Sequence, residues 1–241
     1  MLFKILRWPK NAENPPFNPV LDVIRLAFLN NSKNGLSSGL LQSSETITNE
    51  FADIMIGYIT DSNKPTNQML AVKAVTNIFS CDKGSENLTF PLNYVKLPSH
   101  THHFLVPIND FEFSSGTELM CRVKGAILEH AGNLIPTENK NCQVAVSTLI
   151  LNYAIASCIF KLDPELQKQC TTLTSLLIVG LTDPEAKYRT LIALGTLLES
   201  SSSNVSVAKA VEMSESVKSA MLIVEPGHKI HKVAKLIQSR L

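Results

Sequence analysis

AVSTLILNYAIASCIF, residues Ala145–Phe160, reads as a helix too apolar to lie on a surface, yet it carries an amide, Asn152, in its middle. Outward from it, QMLAVKAVTNIF (Gln68–Phe79) and KYRTLIALGTLL (Lys187–Leu198) share that character, and PVLDVIRLAFLN (Pro19–Asn30) is a looser relative. Each mixes Leu, Ile and Val with small Ala, Gly, Ser or Thr and adds one or two polar residues. Small residues let helices approach closely. The polar exceptions must face something other than the core, because a buried polar group without a partner is costly. Imperfectly recurring helices of this kind build a helical stack rather than a compact bundle, and their polar exceptions are candidates for a shared binding surface.

Turn and cap residues divide the rest of the chain. Asn18-Pro19 is an N-cap followed by proline at the first helical position, and Val20, Leu21, Ile24 and Phe28 give that helix its apolar stripe. Asp22 and Arg25 are close enough on it to pair. Residues 30–44 read as a loop, Phe51, Ile54, Met55, Tyr58 and Ile59 fall at helical spacing, and Asp61–Pro65 punctuates. From Ser80 to Ser115 three prolines, isolated aromatics and SHTHHF defeat any helical period, so residues 80–115 are expected to be an excursion from the stack. Helical text resumes over Thr117–Ile135, and a loop at 136–140 leads into the central helix.

Asp163-Pro164-Glu165 and Asp183-Pro184-Glu185 each combine a capping aspartate, a proline at the first position and an acid near the positive end of the helix. The two helices they start are expected to lie antiparallel across a tight connection. Residues 200–204 break the chain, short helices follow at Val205–Glu212 and Ser214–Val224, and Pro226 opens the last one through Ile230, Val233, Ile237 and Leu241. About ten helices and no strands emerge, with two or three per roughly 40–47 residues, the range of armadillo and HEAT units. The expected fold is all-α: an armadillo-like α-solenoid of five or six units in a single domain, residues 1–241. An irregular helical bundle is the other arrangement the pattern allows.

Composition narrows the function classes. Apolar residues make up 44% and charged residues 18%, which describes an ordered chain, and with aromatics at only 6% the packing falls to Leu, Ile, Val and Ala. Lys and Arg number 22 against 21 acids, a formal charge of +1, so no whole-molecule field draws in nucleic acid or an anionic membrane. A charged ligand would need a local patch. The five cysteines (Cys81, Cys121, Cys142, Cys158 and Cys170) form no CxxC and read as buried reduced thiols of a cytoplasmic or nuclear protein. MLFKILRW is interrupted by Lys4 and Arg7 and closed by Pro9, unlike an export signal, and the longest apolar run falls short of the ~20 residues a membrane span needs. A soluble monomer without a cofactor is expected.

Catalytic and metal chemistry find little footing. His100, His102 and His103 lie in proline-rich text with no Cys or acid at useful spacing, whereas a structural zinc site takes four ligands in defined geometry. No GxSxG, Gly-rich phosphate loop or Cys-based signature occurs, and thiols in apolar surroundings are poor nucleophiles. The chain reads as a non-enzyme.

FNPVLDVIRLAFL after Trp8-Pro9, NQMLAVKAVTNIF, VAVSTLILNYAI, YRTLIALGTLL and the closing VEPGHKIHKVAKLIQSRL together resemble successive blocks of the PUL domain, which ends the proteins of the PLAA family. They stand in the family's order from Trp8 to Leu241. The resemblance implies a six-repeat armadillo-like fold. It also implies binding of the acidic, tyrosine-containing C-terminal tail of the valosin-containing AAA+ ATPase, in the service of ubiquitin homeostasis and the turnover or sorting of ubiquitinated proteins. Whole family members carry a WD-repeat propeller and a ubiquitin-binding PFU domain ahead of this module. Neither is present, so the chain is either a piece of a longer protein or one without direct ubiquitin binding. Residues 80–115 are also longer than the family's connection there.

In stacked repeats the inner helices line a groove where polar residues meet extended peptides. Lys73 and Asn77 are one turn apart on one face, Arg189 begins another groove-type helix, Arg25 lies in the first helix, and Asn152 with Tyr153 in the central one. Lys73 and Arg189 match the family's basic groove positions best, within LAVKAVTN and YRTLIALGT. These cations are expected to pair with carboxylates of the tail, while Asn77 and Asn152 hold its main chain, since an amide both donates and accepts. Arg25 is equally explained by its pairing with Asp22, and Asn152 by a structural bond to a neighbouring carbonyl. A scaffold using the convex face or the 80–115 segment is the rival function.

Overall fold

The computed structural model describes residues 19–29, 40, 45–79, 126–135, 138–160, 162–225 and 227–241. Among them stand ten α-helices and no strand. They are α1 (Pro19–Leu29), α2 (Glu45–Thr60), α3 (Pro65–Ile78), α4 (Ala126–Gly132), α5 (Lys140–Phe160), α6 (Pro164–Gly180), α7 (Pro184–Ser200), α8 (Ser202–Ala210), α9 (Met213–Leu222) and α10 (Lys229–Gln238). The all-α expectation holds. The excursion at 80–115, with its three histidines, lies outside the described residues.

The chain divides into two compact units, the first holding α1–α4 and the second α5–α10. In the first, α1 packs on α3, and α2 packs on both α3 and α4. Leu21, Ile24 and Phe28, the stripe read from the sequence, are buried, and so are Phe51, Met55 and Ile59 on α2. The Phe28 and Phe51 rings meet edge-on, centroids 5.7 Å apart, in the geometry their quadrupoles favour. Gln68 is buried, and its amide donates to the Ile59 carbonyl at 2.8 Å, closing the end of α2 from the first turn of α3. A helix end hidden from water needs such a partner.

In the second unit α5, α7 and α10 stack side by side, while α6 packs behind them against α8 and α9. This helix-on-helix packing is consistent with the α-solenoid expected from sequence. The caps behave as read. Asp163 Oδ1 accepts the Glu165 amide at 2.7 Å and Asp183 Oδ1 that of Ala186 at 2.9 Å. Leu149, Ile150, Leu191, Leu194 and Leu197 are fully buried, each worth about 1.5–3 kcal/mol against exposure. The Cys158 thiol donates to the Thr196 carbonyl at 3.2 Å, a further tie between α5 and α7.

Two boundaries differ from the reading. The break at 200–204 shrinks to Ser201, whose extended backbone and hydroxyl, accepting from the Ser203 amide at 3.1 Å, start α8 at once. The last helix begins at Lys229 rather than next to Pro226. Gly227 takes φ +94, open to glycine but strained for other residues, and His228 Nδ1 then accepts the Ile230 amide at 3.2 Å as the cap.

One buried amide fixes how α5 meets the α6–α7 turn. Gln143 Oε1 accepts the backbone amides of Thr182 at 3.0 Å and Asp183 at 2.8 Å, and its Nε2 donates to Thr182 Oγ1 at 3.0 Å. Gln143→Leu, close in volume, strands those amides, and an unsatisfied backbone donor costs about 1–3 kcal/mol. The unfolding free energy is expected to fall by that much, seen as a lower denaturation midpoint at unchanged m-value. Gly180 is tight for another reason: a Cβ there would run into the Ile135 side chain. Gly180→Ala is expected to destabilise by about 1–3 kcal/mol, as overpacking does. In an Ile135→Ala background the same change should be neutral or favourable, since Ala is the better helix former.

Candidate functional site

α5 is buried nearly all round, and its half-buried positions fall on one line: Val144, Thr148, Asn152, Ile155 and Cys158. That spacing of three and four traces a single stripe along a helix. Asn152 therefore sits one turn beyond Thr148 on the only edge that central segment shows to solvent. It takes part in a polar interaction of its own.

Across from this stripe, the second turn of α7 supplies Arg189. Its Nη1 donates to Thr148 Oγ1 at 2.6 Å and its Nε to Glu185 Oε1 at 3.0 Å. Thr148 in turn donates to the Val144 carbonyl at 2.7 Å, so its oxygen faces the guanidinium as an acceptor only. Glu185 Oε2 accepts from Lys229 Nζ, in the first turn of α10, at 2.6 Å. That ammonium also lies over the Tyr188 ring, 4.1 Å from its centroid, a cation–π contact. Burial pushes the Glu185 carboxyl upward, but hydrogen bonds and charge from Lys229 and Arg189 outweigh it and hold the group below its ordinary value. At neutral pH the cluster is two cations sharing one carboxylate.

The first unit carries the other candidates. Lys73 and Asn77 are half-buried, one turn apart on α3. Asn77 Nδ2 donates to the backbone carbonyl of Arg25 at 2.9 Å, tying α3 to α1, and Arg25 Nε bonds Asp22 Oδ1 at 2.7 Å, the pairing the sequence allowed. Among the described residues no carboxylate lies within ion-pair distance of Lys73. The structure thus brings Arg25, Asn77 and Lys73 onto α1 and α3 of one unit, and Asn152 and Arg189 onto α5 and α7 of the other.

Tyr153 is the exception. Its side chain is 0% exposed and packs the core. Neighbouring helix positions point about 100° apart, so the residue after Asn152 turns inward and presents nothing to a peptide. Sequence reasoning missed Thr148, Glu185, Tyr188 and Lys229. Glu185 was read only as an acid at a helix start, and Lys229 follows Gly227-His228 with nothing local to tell that it would reach a different helix.

The described thiols are quiet. Cys142 and Cys170 are buried, and burial raises Cys170 far above the ordinary thiol range. Burial and then the Glu199 charge push Cys158 up to about 11, against a Ser200 hydrogen bond that lowers it. Cys158 and Cys170 are therefore protonated at neutral pH, the form that is neither nucleophile nor metal ligand.

The chain is 27% identical over 241 residues to the phospholipase A-2-activating protein of Xenopus laevis, an alignment that takes in 100% of this chain and 25% of that protein. The chain therefore spans about a quarter of that relative's length. Among solved structures it is similar to a designed armadillo repeat protein, at TM-score 0.38 and 9% identity, covering 100% of this chain and 98% of the other. An engineered protein matches at TM-score 0.38 and 11% identity, with 99% and 97% covered. The PUL domain profile matches residues 1–238, nearly the full length, and by that match the chain belongs to the PUL domain family.

Proposed function

We propose that this PUL domain is a non-catalytic adaptor module that binds the acidic, tyrosine-containing C-terminal tail of the valosin-containing AAA+ ATPase. Lys73 and Arg189 pair with carboxylates of the tail, and Arg25 is a further cation for it. Asn77 and Asn152 offer amide groups to its main chain. In this reading the module serves ubiquitin homeostasis and ubiquitin-dependent turnover or sorting in the cytoplasm and nucleus, and contacts ubiquitin only through domains outside this sequence.

The observation that supports the reading best is the setting of Arg189. Its guanidinium, with 18% of the side chain exposed, is held by Thr148 and Glu185 beside the solvent edge of α5, so those partners offset its burial and fix its orientation before a ligand arrives. A planar fork of this kind matches a carboxylate in two parallel bonds. Membership of a family of interaction modules and the protonated state of Cys158 and Cys170 agree with binding rather than chemistry.

A second reading has its own observation. Leu176 and Val179, one turn apart on α6, are 56% and 62% exposed on the layer behind α5, α7 and α10. Apolar groups so placed suit a scaffold contact on the outer face.

Titration of a synthetic tail peptide, followed by calorimetry or fluorescence anisotropy, separates the two. Binding is expected at low salt and should weaken as salt rises. Lys73→Ala or Arg189→Gln should each lower affinity about tenfold, given about 1.5–3 kcal/mol for a charge-assisted hydrogen bond, and together they should abolish micromolar binding. Leu176→Asp with Val179→Asp should leave peptide affinity unchanged. A wild-type chain that ignores the peptide at low salt, while its pull-down partners vanish with the Leu176 and Val179 changes, would instead make the scaffold reading the function.

A further inference from the structure

Glu185 has no capping work to do. Asp183 already holds the Ala186 amide at the start of α7, and the Lys187 amide bonds the Asp183 carbonyl. Both Glu185 oxygens instead bridge cations from two helices, Arg189 of α7 and Lys229 of α10, at 3.0 and 2.6 Å. One carboxylate between two cations is the arrangement a carboxylate receptor shows when filled.

What marks it as a receptor rather than a simple ion pair is that each cation has a second, uncharged hold. Thr148 Oγ1 anchors the Arg189 guanidinium at 2.6 Å, and Thr148 is itself fixed by the Val144 carbonyl. The Tyr188 ring lies under the Lys229 ammonium at 4.1 Å. Without Glu185 each cation would keep this second contact. The cluster is also open to water: the side chains of Glu185 and Lys229 are 39% and 46% exposed, so an incoming carboxylate can reach it and the Glu185 side chain can swing out. The exchange is close to neutral in energy, because exposed ion pairs contribute little net stability.

We propose that Glu185 is an internal stand-in for the ligand. On this view a side-chain carboxylate of a bound acidic peptide takes its place between Arg189 and Lys229, which makes Lys229 and Tyr188 part of the binding site. The inference rests on the acidic-peptide reading above and deepens it. Glu185 then sets a threshold: the apparent affinity is the intrinsic one reduced by the fraction of molecules in which Glu185 occupies the cations. A peptide with one weakly placed acid fails to displace it, and a densely acidic one succeeds.

The test compares two charge-equivalent variants with the same tail peptide at low salt. Glu185→Gln should tighten binding about three- to tenfold, the range set by losing two partly exposed contacts. Glu165→Gln makes the same change in net charge in the first turn of α6, where the carboxylate touches only Lys168, and should leave affinity nearly unchanged. Glu185→Asp keeps the charge but is one methylene too short to span both cations, and should also tighten binding, by less. Lys229→Ala should weaken binding in the wild-type and Glu185→Gln backgrounds alike. Thermal melts of each variant establish that it is folded. If the wild type binds and Glu185→Gln is no tighter than Glu165→Gln, the inference is overturned while the peptide reading stands. If neither the wild type nor Glu185→Gln binds, the peptide reading itself fails. Binding by Glu185→Gln alone would support the internal ligand in its strongest form.

Discussion

The second unit depends on the bond set made by Gln143. An amide with both ends occupied in the interior locks one helix to the turn between two others. Through that turn it orients Asp183, which caps α7, and hence the first two turns from which Glu185, Tyr188 and Arg189 project. Hydrophobic burial supplies far more of the stability, but it is indifferent to register along a helix axis. Direction comes from the few polar groups that must be satisfied, because a buried donor left unpaired is costlier than a paired one is favourable. The Arg189–Thr148 bond lies little more than a turn along α5 from Gln143, so the register set at one end carries to the site.

The same device recurs at other helix ends. Gln68 closes α2, and Gln167 donates to the Leu162 carbonyl at 2.7 Å while accepting from Asn204 at 3.1 Å. Lys187 is its charged version: almost fully buried, it donates to the Ile178 carbonyl in the last turn of α6 at 3.0 Å. The negative end of the helix dipole favours a cation there, by up to ~2 kcal/mol in partly buried geometry. Burial works the other way and holds the ammonium below its ordinary value. The residue beside Tyr188 and Arg189 thus serves the stack and not the ligand.

These contrasts explain what could be read from the residues and what could not. Local signals worked: Asp-Pro-Glu announced α6 and α7, and of the 20, 21, 24, 28 stripe read on α1 the last three positions form its buried face, with Val20 half-buried. They work because caps and amphipathic stripes act within a turn or two. Asn152 was legible as an exception in an apolar run, and it does lie on the solvent edge. Gln143, Lys187 and Lys229 were not legible, since a glutamine or lysine in helical text looks like any solvated side chain until the partner, some 9 to 44 positions away in the chain, is placed beside it. Tyr153 misled because adjacency in sequence is divergence on a helix.

A chain with net charge of only +1 cannot draw in an acidic partner from a distance, so recognition must come from where its cations sit. Here the arrangement is informative. Lys168–Glu165 and Lys218–Glu215 are exposed pairs within one helix, each group well solvated, and such pairs contribute almost nothing net. Arg189 and Lys229 differ in coming from separate helices, in sharing one acid and in resting on Thr148 and Tyr188. Positioning a cation by a neutral group costs the fold some side-chain entropy and returns no ionic stabilisation. What such positioning offers is a charge held ready for a carboxylate that arrives from elsewhere, with little left to order when it does.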